Sequence, residues 1–406
     1  MGYDVNKVRV LFPSLESAGM KGLVYLDNTA TSQVTAGVLS ALDEGYLHYK
    51  ANVHRGVHTL SQQATARMEE ARGRIKDYIN ASSHEEIIFT SGATESINLV
   101  AFSLGELIPE GSEIILTVME HHANIVPWQL LQKRKNITIK VVDINERGEL
   151  DLDQYKSLFS PKTKIASFCH VSNVLGTINP VKEMVRIAKE NGVYTVIDGA
   201  QGPGHVSVDV REIDCDFYAF SAHKMYGPTG VGVLYGKKEL LEEMPPYQGG
   251  GEMIKNVSFK GTTFADLPFK FEAGTPNFVG ISAFRGAIDF LESDVFKGAE
   301  DYETELLNKA ENLLKENIPN IKIYGQAARK SAILSFLIGD VHPYDVGVLL
   351  DGLGIAVRTG HHCAQPLMDR LGIPGTVRAG FACYNTIEEV ERFVKAVEKA
   401  YKILCR

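Results

Sequence analysis

The feature that most constrains this chain is an alternation. Short apolar runs bounded by turn residues take turns with stretches of helical periodicity. Glu86–Thr90, Ile114–Thr117, Ile165–Phe168, Thr195–Ile197 and Phe217–Phe220 read as buried strands, with helical patterns such as Ala64–Ile79 and Pro180–Lys189 between several of them. Buried strands joined through helices imply crossover units and a mostly parallel sheet. The expected fold class is therefore α/β.

The character changes near residue 295. Glu300–Lys315 is a charged amphipathic helix, followed by strand-like Ile321–Tyr324 and Ala332–Phe336 and a helix over Tyr344–Leu353. A long helix closes the chain from Thr386 to Leu404, with Thr386 as its N-cap and Glu388 and Glu389 in its first turn. Residues from about 295 onward read as a smaller α+β domain.

Composition removes several classes of function. A net charge of −8 argues against a nucleic-acid partner, whose phosphate backbone attracts basic surfaces. No run approaches the length of a membrane span, and the opening residues lack the apolar core of a signal peptide. Gly2 invites myristoylation, but Asn6 stands where Ser or Thr is required. The five cysteines are odd in number and none are paired as C-x-x-C, so neither a disulfide framework nor a metal site is expected. A reducing cytoplasm is the expected location.

Chemistry-bearing residues follow the buried strands. Ser91-Gly92-Ala93-Thr94 follows the first, and is either an ordinary helix cap or a cradle for a phosphate. Glu120-His121-His122, His170-Val171-Ser172-Asn173, Asp198-Gly199-Ala200-Gln201 and Ser221-Ala222-His223-Lys224 follow the next four. In an open α/β sheet, ligands bind outside the carboxyl ends of the strands. Asp198 at a strand mouth needs a partner, either the next helix's N–H groups or a ligand cation such as a pyridinium nitrogen. Lys224 lies among apolar, small and turn residues. A surface lysine is the commoner case, but a desolvated one becomes a nucleophile toward carbonyls.

At these residues the chain resembles the cysteine desulfurases of the aminotransferase class V superfamily, in the branch serving sulfur-mobilisation (Suf) iron–sulfur assembly. The resemblance spans residues 20–406. It rests on Tyr25-Leu26-Asp27-Asn28-Thr29-Ala30, Asn52-Val53-His54-Arg55-Gly56-Val57-His58, the Glu120–Trp128 segment, His170–Gly176, Asp198–Gln201, Ser221–Lys224 and Arg358-Thr359-Gly360-His361-His362-Cys363-Ala364, all in order. It implies a fold of type I for pyridoxal 5'-phosphate (PLP) enzymes. A large domain over 20–294 would carry a mostly parallel seven-stranded sheet. Residues 1–19 and 295–406 would form the small domain bearing the Cys363 loop.

The resemblance also implies roles. Lys224 holds PLP and moves the substrate's α-proton, Asp198 pairs with the pyridinium nitrogen, and His121 stacks on the ring. Gln201 meets the phenolic oxygen, and Thr94, Ser221 and His223 bind the phosphate. Thr275 reaches that phosphate from a second subunit, making a homodimer. Asn173 and Arg378 take the carboxylate of L-cysteine. Cys363 is the nucleophile that receives sulfur as a persulfide, with alanine as co-product and a small sulfur-acceptor protein of the Suf system as partner. His361, His362 and Arg358 stand near enough in sequence to favour a thiolate. Cys169 and Cys215 read as packing residues. The competing readings are a selenocysteine lyase acting on L-selenocysteine, another class V reaction, and a non-catalytic scaffold.

Overall fold

The computed structural model describes residues 3–405. Met1 and Gly2 of the expected small-domain start, and Arg406 at its end, lie outside the described residues. Seven strands make one sheet: β1 (Ile87–Thr90), β2 (Glu113–Thr117), β3 (Thr138–Val142), β4 (Thr163–Cys169), β5 (Tyr194–Asp198), β6 (Phe217–Ser221) and β7 (Gly232–Gly236). Their order is β1-β7-β6-β5-β4-β2-β3. β7 runs antiparallel to both its neighbours, and the other four pairings are parallel. The fold is α/β with a mostly parallel sheet.

Two of these strands carry no clear sequence signal. β3 lies at the sheet edge, is only partly buried and carries Lys140 in its middle. β7 begins and ends with glycine, which reads as turn punctuation. The glycine at its start is required by packing: a Cβ on Gly232 would sit 2.3 Å from the Gly92 Cα.

Alternate residues of each strand enter opposite cores. One face buries Ile115, Phe168, Ile197 and Phe220 against helices α1 (Thr59–Tyr78), α4 (Val181–Glu190) and α5 (Phe278–Leu291). The other buries Ile114, Ile165, Val196 and Phe217 against α2 (Ala93–Leu107) and α3 (Val126–Arg134). Each fully buried side chain of this size contributes about 1.5–3 kcal/mol. That burial holds the strand ends rigid where the polar residues begin.

A second sheet, all antiparallel, has the order β8 (Ile321–Tyr324), β9 (Ile333–Ile338), β11 (Thr376–Gly380), β10 (Arg358–Gly360). Helices α6 (Ala299–Asn317), α7 (Pro343–Gly352) and α9 (Ile387–Leu404) cover it through Leu306, Leu314, Leu350, Phe393 and Val397. A reciprocal capping box between Thr386 and Glu389 starts α9. The N-terminal segment serves both cores. Val8, Phe12 and Leu15 enter the core beneath the large sheet, although residues 1–19 were expected with the small domain. Val24 and Leu26, expected with the large domain, pack in the small-sheet core. The reason is a short parallel pairing of Val24–Tyr25 with Ile355–Ala356, which carries them there. Among the described residues no helix is long and apolar enough to cross a membrane.

Candidate active site

The carboxyl ends of the central strands, the start of α2 and the loop between β10 and helix α8 (Gln365–Leu371) enclose a cavity of about 470 Å³. Thr94, His121, Asn173, Asp198, Gln201, Ser221, His223, Lys224, Cys363 and Arg378 all line it. Thr275 does not; it is exposed, away from its own chain's cavity. A larger groove of about 910 Å³ runs along α4. There Lys182, Arg186 and Lys189 are already paired with Glu212, Glu190 and Asp214, so their charges converge on no common point.

The start of α2 is not an ordinary capped terminus. Its N-cap is Gly92, and no side chain of that residue takes a hydrogen bond. The Ala93 N–H instead donates to Ser221 Oγ at 2.8 Å, at the end of β6. The first turn thus opens toward Thr94 and the cavity, with the helix dipole favouring an anion there.

Asp198 ends β5 and is buried. Its Oδ1 accepts the Ala200 N–H at 2.9 Å, the structural half of the sequence reading. Among the described residues no donor takes its other oxygen, which is free for a ligand cation. Burial pushes the Asp198 carboxyl up, against the pull of the Ala200 N–H and the Lys224 charge. Lys224 sits one turn past β6. Burial pushes its amine down, Asp198 opposes this, and the Arg378 charge adds to it. Gln201 donates through Nε2 to the Thr29 carbonyl at 2.7 Å, and its Oε1 is buried without a partner.

His121 is held down to about 4 by burial and then by the Lys224 charge. Its Nδ1 accepts the Ala123 N–H at 3.0 Å, so the neutral ring carries its proton on Nε2. His223 is likewise pushed down to about 4 by burial and Lys224, with Nδ1 3.2 Å from Thr31 Oγ1.

The Cys363 loop is short and strained. His362 and Cys363 both have left-handed backbones, with φ of +52° and +56°. Each costs about 1–2 kcal/mol in such residues, so the surroundings must enforce them. They do: Cys363 O accepts the His122 N–H at 2.7 Å, and His362 O accepts Asn173 Nδ2 at 2.8 Å. The Cys363 N–H donates to His361 Nδ1 at 3.2 Å. Cys363 itself is exposed, whereas Cys169, Cys215 and Cys383 are buried.

His362 differs from the sequence expectation. Its Nε2 lies 2.9 Å from Thr376 Oγ1, and burial, then Arg378, push it down to about 2. It is neutral and supplies no charge to a thiolate. The cations within electrostatic reach of Cys363 are Lys224, Arg358 and Arg378.

Arg378 lies on β11 and is buried, with NH1 donating to the Asn173 carbonyl at 2.9 Å. Burial lowers it to about 10, which leaves it cationic at neutral pH. Arg358 is its register partner on β10. Asp27 stands between them: Arg358 donates to it through Nε at 3.1 Å and NH2 at 2.7 Å, and Arg378 NH2 lies 3.6 Å away. One carboxylate between two guanidinium groups leaves one positive charge unmatched at the cavity wall. Asp27 and Thr29 received no role from sequence, although both belong to the Tyr25–Ala30 motif; strand pairing alone brings them here.

The sheet order, the reversed β7 and the Asp198 and Lys224 positions at neighbouring strand ends define the fold of type I PLP-dependent enzymes. The chain belongs to the aminotransferase class-V family, whose model matches residues 24–393. It is 46% identical over 407 residues to a cysteine desulfurase of Pectobacterium carotovorum, and 48% identical over 408 residues to one of Shigella flexneri, covering all of both chains in each case. Among solved structures it is similar to the apo cysteine desulfurase of Thermococcus onnurineus, at 40% identity and a TM-score of 0.93. It is also similar to the cysteine desulfurase CsdA of Escherichia coli, at 38% identity and a TM-score of 0.91. Both cover 100% of each chain.

Proposed function

We propose that this protein is a PLP-dependent cysteine desulfurase that converts L-cysteine to L-alanine and keeps the sulfur on Cys363 as a persulfide. The observation that carries the reading is that Cys363, Lys224, Asp198 and Arg378 line one cavity. The residues fit the cofactor. The start of α2, whose N-cap is a glycine without a side chain, suits a phosphate, the free oxygen of Asp198 suits a pyridinium nitrogen, and the orphaned Gln201 Oε1 suits a phenolic group. Thr94, Ser221 and His223 would hold the phosphate, His121 the ring face and Lys224 the aldehyde carbon. PLP, when bound, supplies an electron sink for charge left at the substrate's α-carbon.

The chain's own residues do the rest. Arg378 and Asn173 orient the substrate carboxylate, and the unmatched positive charge near Asp27 attracts it. The depressed Lys224 amine takes the α-proton on Nζ, and it is the group placed to supply the proton that the carbon skeleton needs once the Cβ–S bond has broken. The Cys363 thiolate then forms an S–S bond to the substrate sulfur as the Cβ–S bond breaks. Its electron pair stays with the carbon skeleton, which is protonated and leaves as alanine. The relatives reported above carry the name cysteine desulfurase, so L-cysteine rather than L-selenocysteine is taken as the substrate.

The short, pinned Cys363 loop cannot carry a persulfide far. This supports a small sulfur-acceptor protein as partner; the resemblance to the Suf branch makes that partner one of the Suf type, iron–sulfur assembly the destination and the cytoplasm the setting of this proposal. A homodimer in which Thr275 of a second copy completes the phosphate site fits its exposure. The experiment is alanine formation from L-cysteine with and without an acceptor protein of this type, beside sedimentation of the holoenzyme. Equal rates in mild reductant without the acceptor contradict the partner, and a monomer contradicts the shared site.

A further inference from the structure

We propose that Glu120 is a positioning residue for His121, locking the turn that carries the ring between the ends of β2 and β4 through an acceptor pattern that only a carboxyl group supplies. Glu120 is completely buried. Its Oε1 accepts the Cys169 N–H at 3.1 Å, at the end of β4, and bonds the Thr117 hydroxyl, at the end of β2. Its Oε2 accepts from Asn124 Nδ2 at 2.7 Å.

The direction of these bonds is dictated from below. Trp128 is fully buried and its indole N–H can only donate. It donates to Asn124 Oδ1 at 3.1 Å, beside the Ser167 hydroxyl. Asn124 must therefore turn its oxygen to Trp128 and its NH2 group to residue 120. The Cys169 N–H is also donor-only, so residue 120 must accept at both ends. A carboxyl group does so. A glutamine would face either Asn124 or Cys169 with an NH2 group, and buried donors so opposed are costly. Burial pushes the Glu120 carboxyl up to about 8, and the Asp198 charge adds to this. The pattern survives protonation, because the Thr117 hydroxyl can accept as well as donate.

The consequence falls on the next two residues. The His121 ring is fixed through Ala123 of the same turn, and the His122 N–H holds the Cys363 carbonyl. One buried carboxyl thus supports both the ring and the nucleophile's loop. The inference rests on the desulfurase reading for what His121 faces.

The experiment compares the PLP-loaded parent with Glu120→Gln, Trp128→Phe and the double variant, by visible circular dichroism of the bound cofactor, alanine formation and melting temperature. Glu120→Gln is expected to weaken the visible dichroic band and lower kcat by about 10- to 100-fold, the range for a misplacement near 1 Å, with KM changed less. Trp128→Phe removes the donor that dictates the direction, so Asn124 can turn over. The double variant is therefore expected to regain the band and most of kcat, with Trp128→Phe alone close to the parent. A parental band in Glu120→Gln, or a double variant no better than Glu120→Gln, overturns the proposal. Should Glu120→Gln fail to fold, the double variant is compared with Trp128→Phe: a matching band supports the proposal and a lost band overturns it. A parent that makes no alanine overturns the desulfurase reading, while the dichroic comparison still decides the role of Glu120.

Discussion

The His122 N–H donates to the Cys363 carbonyl at 2.7 Å, and His122 Nε2 in turn accepts the Gln365 N–H at 3.2 Å. The residue beside His121 therefore grips the Cys363 loop at two points, the Cys363 carbonyl and the Gln365 N–H. His122→Ala removes the second grip, a hydrogen bond worth about 0.5–1.5 kcal/mol net. The expected result is an unchanged cofactor absorbance with persulfide formation slowed by up to about tenfold in a single turnover. An unchanged rate would mean that the backbone bond alone positions the loop.

Arg378 is the buried guanidinium the site offers a carboxylate: Asp27 makes its close hydrogen bonds with Arg358 and stands 3.6 Å from Arg378. Arg378→Lys keeps the charge but loses the planar fork. KM for L-cysteine is expected to rise by about 10- to 100-fold, the equivalent of about 1.5–3 kcal/mol for a charged hydrogen bond. Cofactor absorbance should not change. Steady-state kinetics across cysteine concentration check this, and an unaltered KM would place the carboxylate elsewhere.

Buried neutral histidines set an acid limit. His170, buried with Nδ1 2.8 Å from the Tyr218 hydroxyl, is pushed from 6.5 down to about 4 by burial. Between those values the unfolded chain binds a proton that the native site refuses, so stability is lost as pH falls from about 6.5 toward 4. His170→Asn, which keeps a group at Nδ1 but cannot titrate, is expected to flatten the melting temperature in that window. A slope identical to the parent would show that other groups dominate.

Gly232 faces the backbone of Gly92, where an added Cβ would approach to 2.3 Å. Gly232→Ala must push β7 away from the Gly92 turn that starts α2. A cost of about 1–3 kcal/mol is expected in urea unfolding of the apoprotein. PLP should also be lost faster on dilution. Stability at the parental level would mean that the sheet yields here without strain.

The strands that bury both faces were legible because their apolar runs are continuous. β2 and β4 to β6 were found within a residue or two of their bounds, as were α4, α6 and α9. The residues at their ends converge because strand ends in a parallel sheet must. The rest depends on pairing between distant segments, which leaves no local period. Arg378 gains its place from β11, a strand without a marked pattern. Asp27 reaches it only because a two-residue strand pairs with Ile355–Ala356. The left-handed turn at His362 and Cys363, and the neutrality of His362, follow from packing no spacing rule reveals. Glu120 read as one polar residue among several; only its partners disclose its place.

The most direct measurement is alanine formation from L-cysteine by the PLP-loaded protein beside Cys363→Ala, with a reductant and visible absorbance recorded for both. The account predicts equal cofactor absorbance and a loss of at least about a hundredfold in alanine formation in the variant. A Cys363→Ala protein that forms alanine at the parental rate would contradict it, and would reduce Cys363 to a residue of the loop.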